Sequence, residues 1–120
     1  MNKKTVVIGV STNPERYSYK AVSQLLAHGY EVVALGLREG ELFGLKIKTD
    51  YPILDDVHTV TLYVGKDNQK GIIDYVLKLK PQRVIFNPGT ENSEFENKLI
   101  EKAIVAERAC TLVLLSIGAY

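Results

Sequence analysis

Apolar positions along this chain repeat with two periods, and the alternation between them predicts its elements. Thr5 to Val10 is β-branched and apolar on successive residues, as in a strand buried on both faces. Ala21, Val22, Leu25 and Leu26 then recur at helical spacing, with Ser18 as the expected N-cap and Gly29 as the stop. Glu31 to Leu35 is a second strand. Arg38 to Gly44 reads as a polar loop, Lys46 to Thr49 as a short extended piece, and Leu54 to Val57 as a turn of helix. Thr59 to Val64 is a third strand. Asp67 or Asn68 caps a helix with the stripe Ile72, Ile73, Val76, Leu77 and Leu79, which Pro81 ends. Arg83 to Phe86 is a fourth strand. A last long helix starts at Asn92 or Ser93 and turns Phe95, Leu99, Ile100, Ala103 and Ile104 inward. Thr111 to Leu115 reads as a fifth strand.

Strands and helices that alternate in this way predict one α/β domain over residues 1–120. The expected architecture is Rossmann-like, a three-layer α/β/α arrangement around a five-stranded parallel sheet of order 3-2-1-4-5. Its ligand crevice is expected beside the first strand, at the C-terminal edge of the sheet.

Composition narrows the partners. A chain of 120 residues with 46% hydrophobic and 24% charged residues is ordinary for a globular protein. A net charge of +1 supplies no general field for nucleic acid. One cysteine, Cys110, rules out an intrachain disulfide or a multi-cysteine metal site. No apolar run reaches the roughly 20 residues needed to cross a bilayer. Met1-Asn-Lys-Lys leads straight into the first strand without a signal-peptide pattern, so the expected location is cytoplasmic.

The candidate chemistry sits between the first strand and the first helix, in Gly9-Val10-Ser11-Thr12-Asn13-Pro14. A dinucleotide fingerprint would carry glycines at the positions of Ser11 and Pro14, so the loop departs from that pattern. It still leads a buried strand toward a helix N-terminus, where backbone N–H groups bind phosphate. Ser11 and Thr12 add hydroxyls, and Arg16 and Lys20 add positive charge. Where a nicotinamide site would carry a carboxylate at the end of the second strand, this chain has Arg38, followed by Glu39. A guanidinium there suits a ribose phosphate, as in NADP or coenzyme A.

Four stretches carry a family resemblance: Val7 to Pro14; Ser18 through Leu26 with His28-Gly29-Tyr30 and Val32; Gly44 through Tyr51-Pro52; and Asn87-Pro88-Gly89. Over Val6 to about Gly118 the chain resembles the stand-alone CoA-binding-domain proteins. It is also similar to the N-terminal CoA-binding domain of succinyl-CoA synthetase α subunits and of related ADP-forming acyl-CoA ligases. The resemblance implies coenzyme A or an acyl-CoA as ligand, with Gly9, Val10, Ser11 and Thr12 along the pyrophosphate and Arg38 near the ribose phosphate. It implies the adenine near Val64, Gly65 and Lys66, and the pantetheine arm near Asn87, Pro88 and Gly89. The chain departs from the family at Gly36-Leu37, where many relatives have Asn-Pro, and it lacks the Thr-Glu-Gly of the synthetases after strand four.

No catalytic constellation is apparent. His28 is expected at the C-terminal end of the first helix and His58 at the N-terminal edge of the sheet. Cys110 is expected to open the last strand, on the edge away from the ligand, as a buried small hydrophobe. The adjacent carboxylates Asp55 and Asp56 point apart on a short helix. With no catalytic set among these residues, the resemblance implies a small CoA-binding protein without chemistry of its own: a carrier, a sensor or a partner of an acyl-CoA enzyme. An NADP-binding reductase, a ligase subunit and an interaction module without ligand stay open, as does a homodimer through exposed helix faces.

Overall fold

A computed structural model describes residues 3–120 of the chain. The elements in order are strand β1 (Thr5–Ile8), helix α1 (Tyr17–Ala27), strands β2 (Val32–Leu35), β3 (Gly40–Leu42), β4 (Leu45–Lys48) and β5 (Thr59–Leu62), a 3₁₀ turn (Lys66–Asn68), helix α2 (Lys70–Leu79), strand β6 (Arg83–Phe86), helix α3 (Ser93–Glu101), strand β7 (Val105–Arg108) and helix α4 (Thr111–Ser116). Every residue of β1 and β5 is buried, as β-branched central strands covered on both faces should be. Helices α2 and α3 cover one face of the sheet around Val76, Phe86, Phe95 and Leu99. Helices α1 and α4 cover the other around Val7, Val22, Leu25, Ile85 and Leu115. The three-layer α/β/α reading therefore holds.

The predicted sheet does not. Among the described residues seven strands form one sheet in the order β3-β4-β2-β1-β5-β6-β7, mostly parallel, with β3 antiparallel to β4. A five-stranded parallel sheet of order 3-2-1-4-5 is thus overturned on strand number, direction and order. The cause of the new order is a β-hairpin in the stretch expected to be a polar loop. Strand β4 pairs with the outer edge of β2, placing Ile47 opposite Ala34. That edge is then closed to the strand after it, so β5 pairs with the free side of β1, Val6 opposite Val60 and Ile8 opposite Leu62. The hairpin turns at Phe43 and Gly44, both at positive φ (52° and 80°), a conformation that phenylalanine does not advertise.

The second set of corrections lies near the C-terminus. Helix α3 ends at Glu101, because Ala103 adopts a left-handed φ of 60° and Ile104 N–H reaches back to Leu99 O. Ala103 is consequently exposed, although helical spacing placed it inward. The strand follows at once as β7, parallel to β6 with Arg83 opposite Val105. Thr111 to Ser116 is helix α4 rather than a strand; its buried Thr111 and Leu115 are four residues apart. Residues 54–57 form no helix, and Asp56 has a φ of 58°.

These changes leave a switch point at β1. Strand β1 still has connections leaving on opposite sides, toward β2 and toward β5, and open α/β sheets bind ligands beside such a point, at the C-terminal edge.

Candidate functional site

At the tip of β1 the chain turns through Gly9, whose φ of 96° suits only glycine. A Cβ there would also lie 2.9 Å from Val64 Cγ2 and 3.0 Å from the Tyr63 carbonyl, so this glycine lets the loop lie against the tip of β5. The N–H groups of Gly9 and Val10 both donate to Leu35 O, at 2.9 Å each. They stitch β1 to β2 and are not offered to a ligand. Ser11 N–H donates to Ser18 Oγ (3.2 Å) and Asn13 N–H to Ser11 Oγ (3.1 Å). Asn13 accepts from Glu15 N–H on its side chain and from Arg16 N–H on its carbonyl, so it builds the turn into the helix.

Ser18 does not cap α1. Arg16 occupies the N-cap position without a side-chain cap, and Ser18, buried in the first turn, holds the loop instead. The first turn contains no acidic residue. The N–H groups of Thr12, Tyr17, Ser18 and Tyr19 find no acceptor among the described residues. Helix α3 is the contrast: Asn92 Oδ1 accepts from Phe95 N–H, Glu96 accepts from Asn92 N–H, and acidic Glu94 and Glu96 occupy the first turn. Of these two helix N-termini, α3 is closed by its own side chains and α1 stands open.

Exposed cations lie near the open one, interspersed with the exposed carboxylates Glu15 and Glu39. Arg16, Lys20 and Arg38 are exposed and form no ion pair among the described residues, and Lys20 Nζ lies 5.5 Å from the Tyr17 ring centre. Lys48, absent from the sequence-based set, joins them at this edge because its carbonyl accepts from Gly36 N–H. Tyr17 and Leu37 are 68% and 93% exposed here, so the protein's own side chains do not plug the edge. Two concavities, of about 590 Å³ beside Lys80 and Ile104 and about 330 Å³ beside His28 and Tyr30, lie at the opposite edge.

The tips of β5 and β6 are tied together by a buried polar network that the sequence did not announce. Asn87 Nδ2 donates to Thr61 Oγ1 (2.6 Å) and Leu62 O (2.8 Å), and its Oδ1 accepts from Thr111 N–H (2.9 Å). Gln69, fully buried, donates from Nε2 to Val64 O and Thr90 O and accepts from Asn92 Nδ2. Asn87 is therefore committed to the fold, while Gly65, Pro88 and Gly89 remain exposed at the edge. Gly89 N–H is taken by Glu91 Oε1. A helical stripe and a strand run give no sign of such a network; only Asn92, three residues before Phe95, carries a readable cap signal.

Other sequence candidates fall as follows. His28 is the exposed C-cap of α1, its Nδ1 2.8 Å from Gln24 O. His58 sits at the N-terminal edge, and burial, then Arg83 and Lys3, lower its pKa. Cys110 is placed differently from expectation: it follows β7 at the C-terminal edge, half-buried as the N-cap of α4. Tyr63, also at this edge, has a hydroxyl buried beside Thr61 and Thr111, whose own hydroxyls bond to each other, so that it interacts with both without a well-formed hydrogen bond of its own. Burial pushes its pKa up to about 12. Asp55 and Asp56 are exposed, and no group of three or more His, Cys, Asp or Glu among the described residues is placed to hold a metal ion. No helix among them is long and apolar enough to cross a membrane.

Comparison with known proteins adds the family. The model of the CoA binding domain matches residues 3–116. A crystal structure of an uncharacterized protein is 44% identical, covers 100% of this chain and 99% of its own, and superposes with a TM-score of 0.98. A hypothetical protein from Pyrococcus horikoshii OT3 is 30% identical over 93% of this chain and 80% of its own, with a TM-score of 0.80. The dinucleotide-forming acetyl-coenzyme A synthetase 1 of Ca. Korarchaeum cryptofilum, in complex with phosphate and ADP, shares the fold. It is 22% identical over 87% of this chain but only 25% of its own, with a TM-score of 0.69. No protein of curated function matches the chain.

Proposed function

Since the chain belongs to the CoA binding domain family, we propose that it binds coenzyme A or an acyl-CoA at the C-terminal edge of the sheet and performs no chemistry with its own residues. The observation that carries this reading is the open N-terminus of α1. The free N–H groups of Thr12, Tyr17, Ser18 and Tyr19, with no carboxylate in the first turn of the helix, suit a diphosphate. Arg16 and Lys20 add charge to that group, and Arg38 pairs with the ribose 3′-phosphate. Gly9, Val10, Ser11 and Asn13 shape the cradle through the bonds they make within the protein. The base lies by Val64 and Gly65, and the pantetheine arm crosses Pro88 and Gly89; Asn87 supports that surface from below. A protein with this site acts as a carrier, a sensor or a partner of an acyl-CoA enzyme.

Thermal-shift titration tests the reading. A ligand at about 100 times its Kd stabilises the fold by roughly 2.7 kcal/mol, worth about 10 °C in a domain of this size. Coenzyme A raises Tm by this order and NADP by much less. No response to either leaves the interaction-module reading in its place.

A further inference from the structure

Three residues, Leu37-Arg38-Glu39, form an arch between β2 and β3, and each foot of the arch is a glycine pressed on the candidate phosphate loop. A Cβ on Gly36 would lie 2.6 Å from Val10 O and 2.9 Å from Ile47 Cγ2. A Cβ on Gly40 would lie 2.8 Å from Thr12 Cγ2 and 3.5 Å from Ile47 Cδ1. Real Cβ atoms do not approach other atoms so closely, so a Cβ on Gly36 would force the loop backbone or the arch to move, and one on Gly40 would force the Thr12 side chain to turn or the arch to move. Neither glycine has a positive φ, so backbone conformation is not what calls for them; close approach is. At its far end the hairpin is pinned to α1, where the Phe43 and Tyr19 rings lie 4.9 Å apart. Phe43 keeps this contact from a left-handed φ of 52°, a conformation glycine or asparagine would take at lower cost. The hairpin thus carries Leu37, Arg38 and Glu39 on a span whose two ends pack against Val10 and Thr12.

We propose that Gly36 and Gly40 are positioning residues that set the spacing between the Arg38 guanidinium and the Thr12 cradle, and so the preference for ligands carrying a 3′-phosphate. The inference rests on the coenzyme A reading above and deepens it. A diphosphate and a ribose 3′-phosphate sit at a fixed separation on one ligand. Bidentate pairing tolerates little displacement, so a shift of the arch weakens the second contact while leaving the first. Leu37, 93% exposed beside Arg38, is carried on the same arch.

Isothermal titration of the whole chain with coenzyme A and with 3′-dephospho-CoA reads the preference as a ratio of Kd values. The unaltered protein favours coenzyme A by about tenfold or more, the scale of a charge-assisted pair, and Arg38→Ala removes that ratio. Gly40→Ala lowers the ratio by about threefold or more, while dephospho-CoA binding changes little. Thr12→Ser removes the opposing methyl, and in the Gly40→Ala background it brings the ratio back to within about twofold of Thr12→Ser alone, the coupling expected of two groups in contact. Phe43→Ala, a half-exposed site that leaves the core intact, lowers the ratio in the same sense and serves if Gly40→Ala does not fold. A ratio unchanged in both Gly40→Ala and Phe43→Ala overturns the proposal while the coenzyme A reading stands. No binding of either ligand by the unaltered protein overturns that reading itself.

Discussion

Replacing Asn87 by alanine separates a residue that touches ligand from one that holds the edge together. The side chain makes three buried hydrogen bonds, to Thr61 Oγ1, Leu62 O and Thr111 N–H, at 2.6, 2.8 and 2.9 Å. At about 1 kcal/mol net each, their loss costs roughly 3 kcal/mol. The Thr111 N–H, at the start of α4, is then left buried without an acceptor, which adds about 1–2 kcal/mol. The total of about 4–5 kcal/mol is a large share of the 5–15 kcal/mol typical of a whole domain. At about 3–4 °C per kcal/mol, Tm falls by roughly 15 °C. Urea denaturation followed by circular dichroism measures the loss directly, and amide exchange should show α4 opening first. A variant with unchanged Tm and unchanged exchange, but weakened coenzyme A binding, would refute the structural assignment and return Asn87 to the ligand.

Three further outcomes follow from local geometry. Ala103→Gly relieves a left-handed φ of 60° at the end of α3; the conformational gain exceeds the added chain entropy by about 0.5–1 kcal/mol, seen as a small rise in Tm. Tyr63→Phe removes a buried hydroxyl that lies beside Thr61 and Thr111 without a well-formed hydrogen bond, and changes stability by less than about 1 kcal/mol; a larger loss shows that Thr61 or Thr111 bonds it. His58 has a folded-state pKa below 6.5, so below that value the unfolded chain binds the proton more readily. Stability therefore falls as pH drops from 6.5 toward the lowered pKa. His58→Asn flattens that part of the Tm–pH curve, and an unaltered slope contradicts the assignment.

Much of the fold was legible because burial leaves a period. The continuous apolar runs of β1, β5 and β6 and the stripe of α2 mark elements covered by neighbours, and all four lie where those runs place them. The errors fall where local signals point the wrong way. Phe43-Gly44 turns a hairpin without the Asn-Gly pair that usually announces one, so the added strands and the resulting order stayed hidden. Ala103 ends a helix from a left-handed conformation while keeping the helical spacing of Leu99, Ala103 and Ile104. Thr111-Leu-Val-Leu-Leu has strand composition but is helical, since only Thr111 and Leu115 need cover. At the candidate site, residue type singled out the loop for its chemistry but did not reveal the owner of each hydrogen bond. Gly9, Val10 and Asn87 look like ligand contacts and bond within the protein, whereas the N–H groups left open belong to Thr12 and the first turn of α1.

The most direct measurement follows backbone amide resonances of ¹⁵N-labelled protein as coenzyme A is added. The largest saturable shifts are expected at Thr12 and at Tyr17 to Tyr19, with smaller ones at Arg38, Gly65 and Gly89. Shifts confined to the opposite edge, around Lys80 and Ile104, or no shift at millimolar ligand, would contradict a diphosphate seated on the open end of α1.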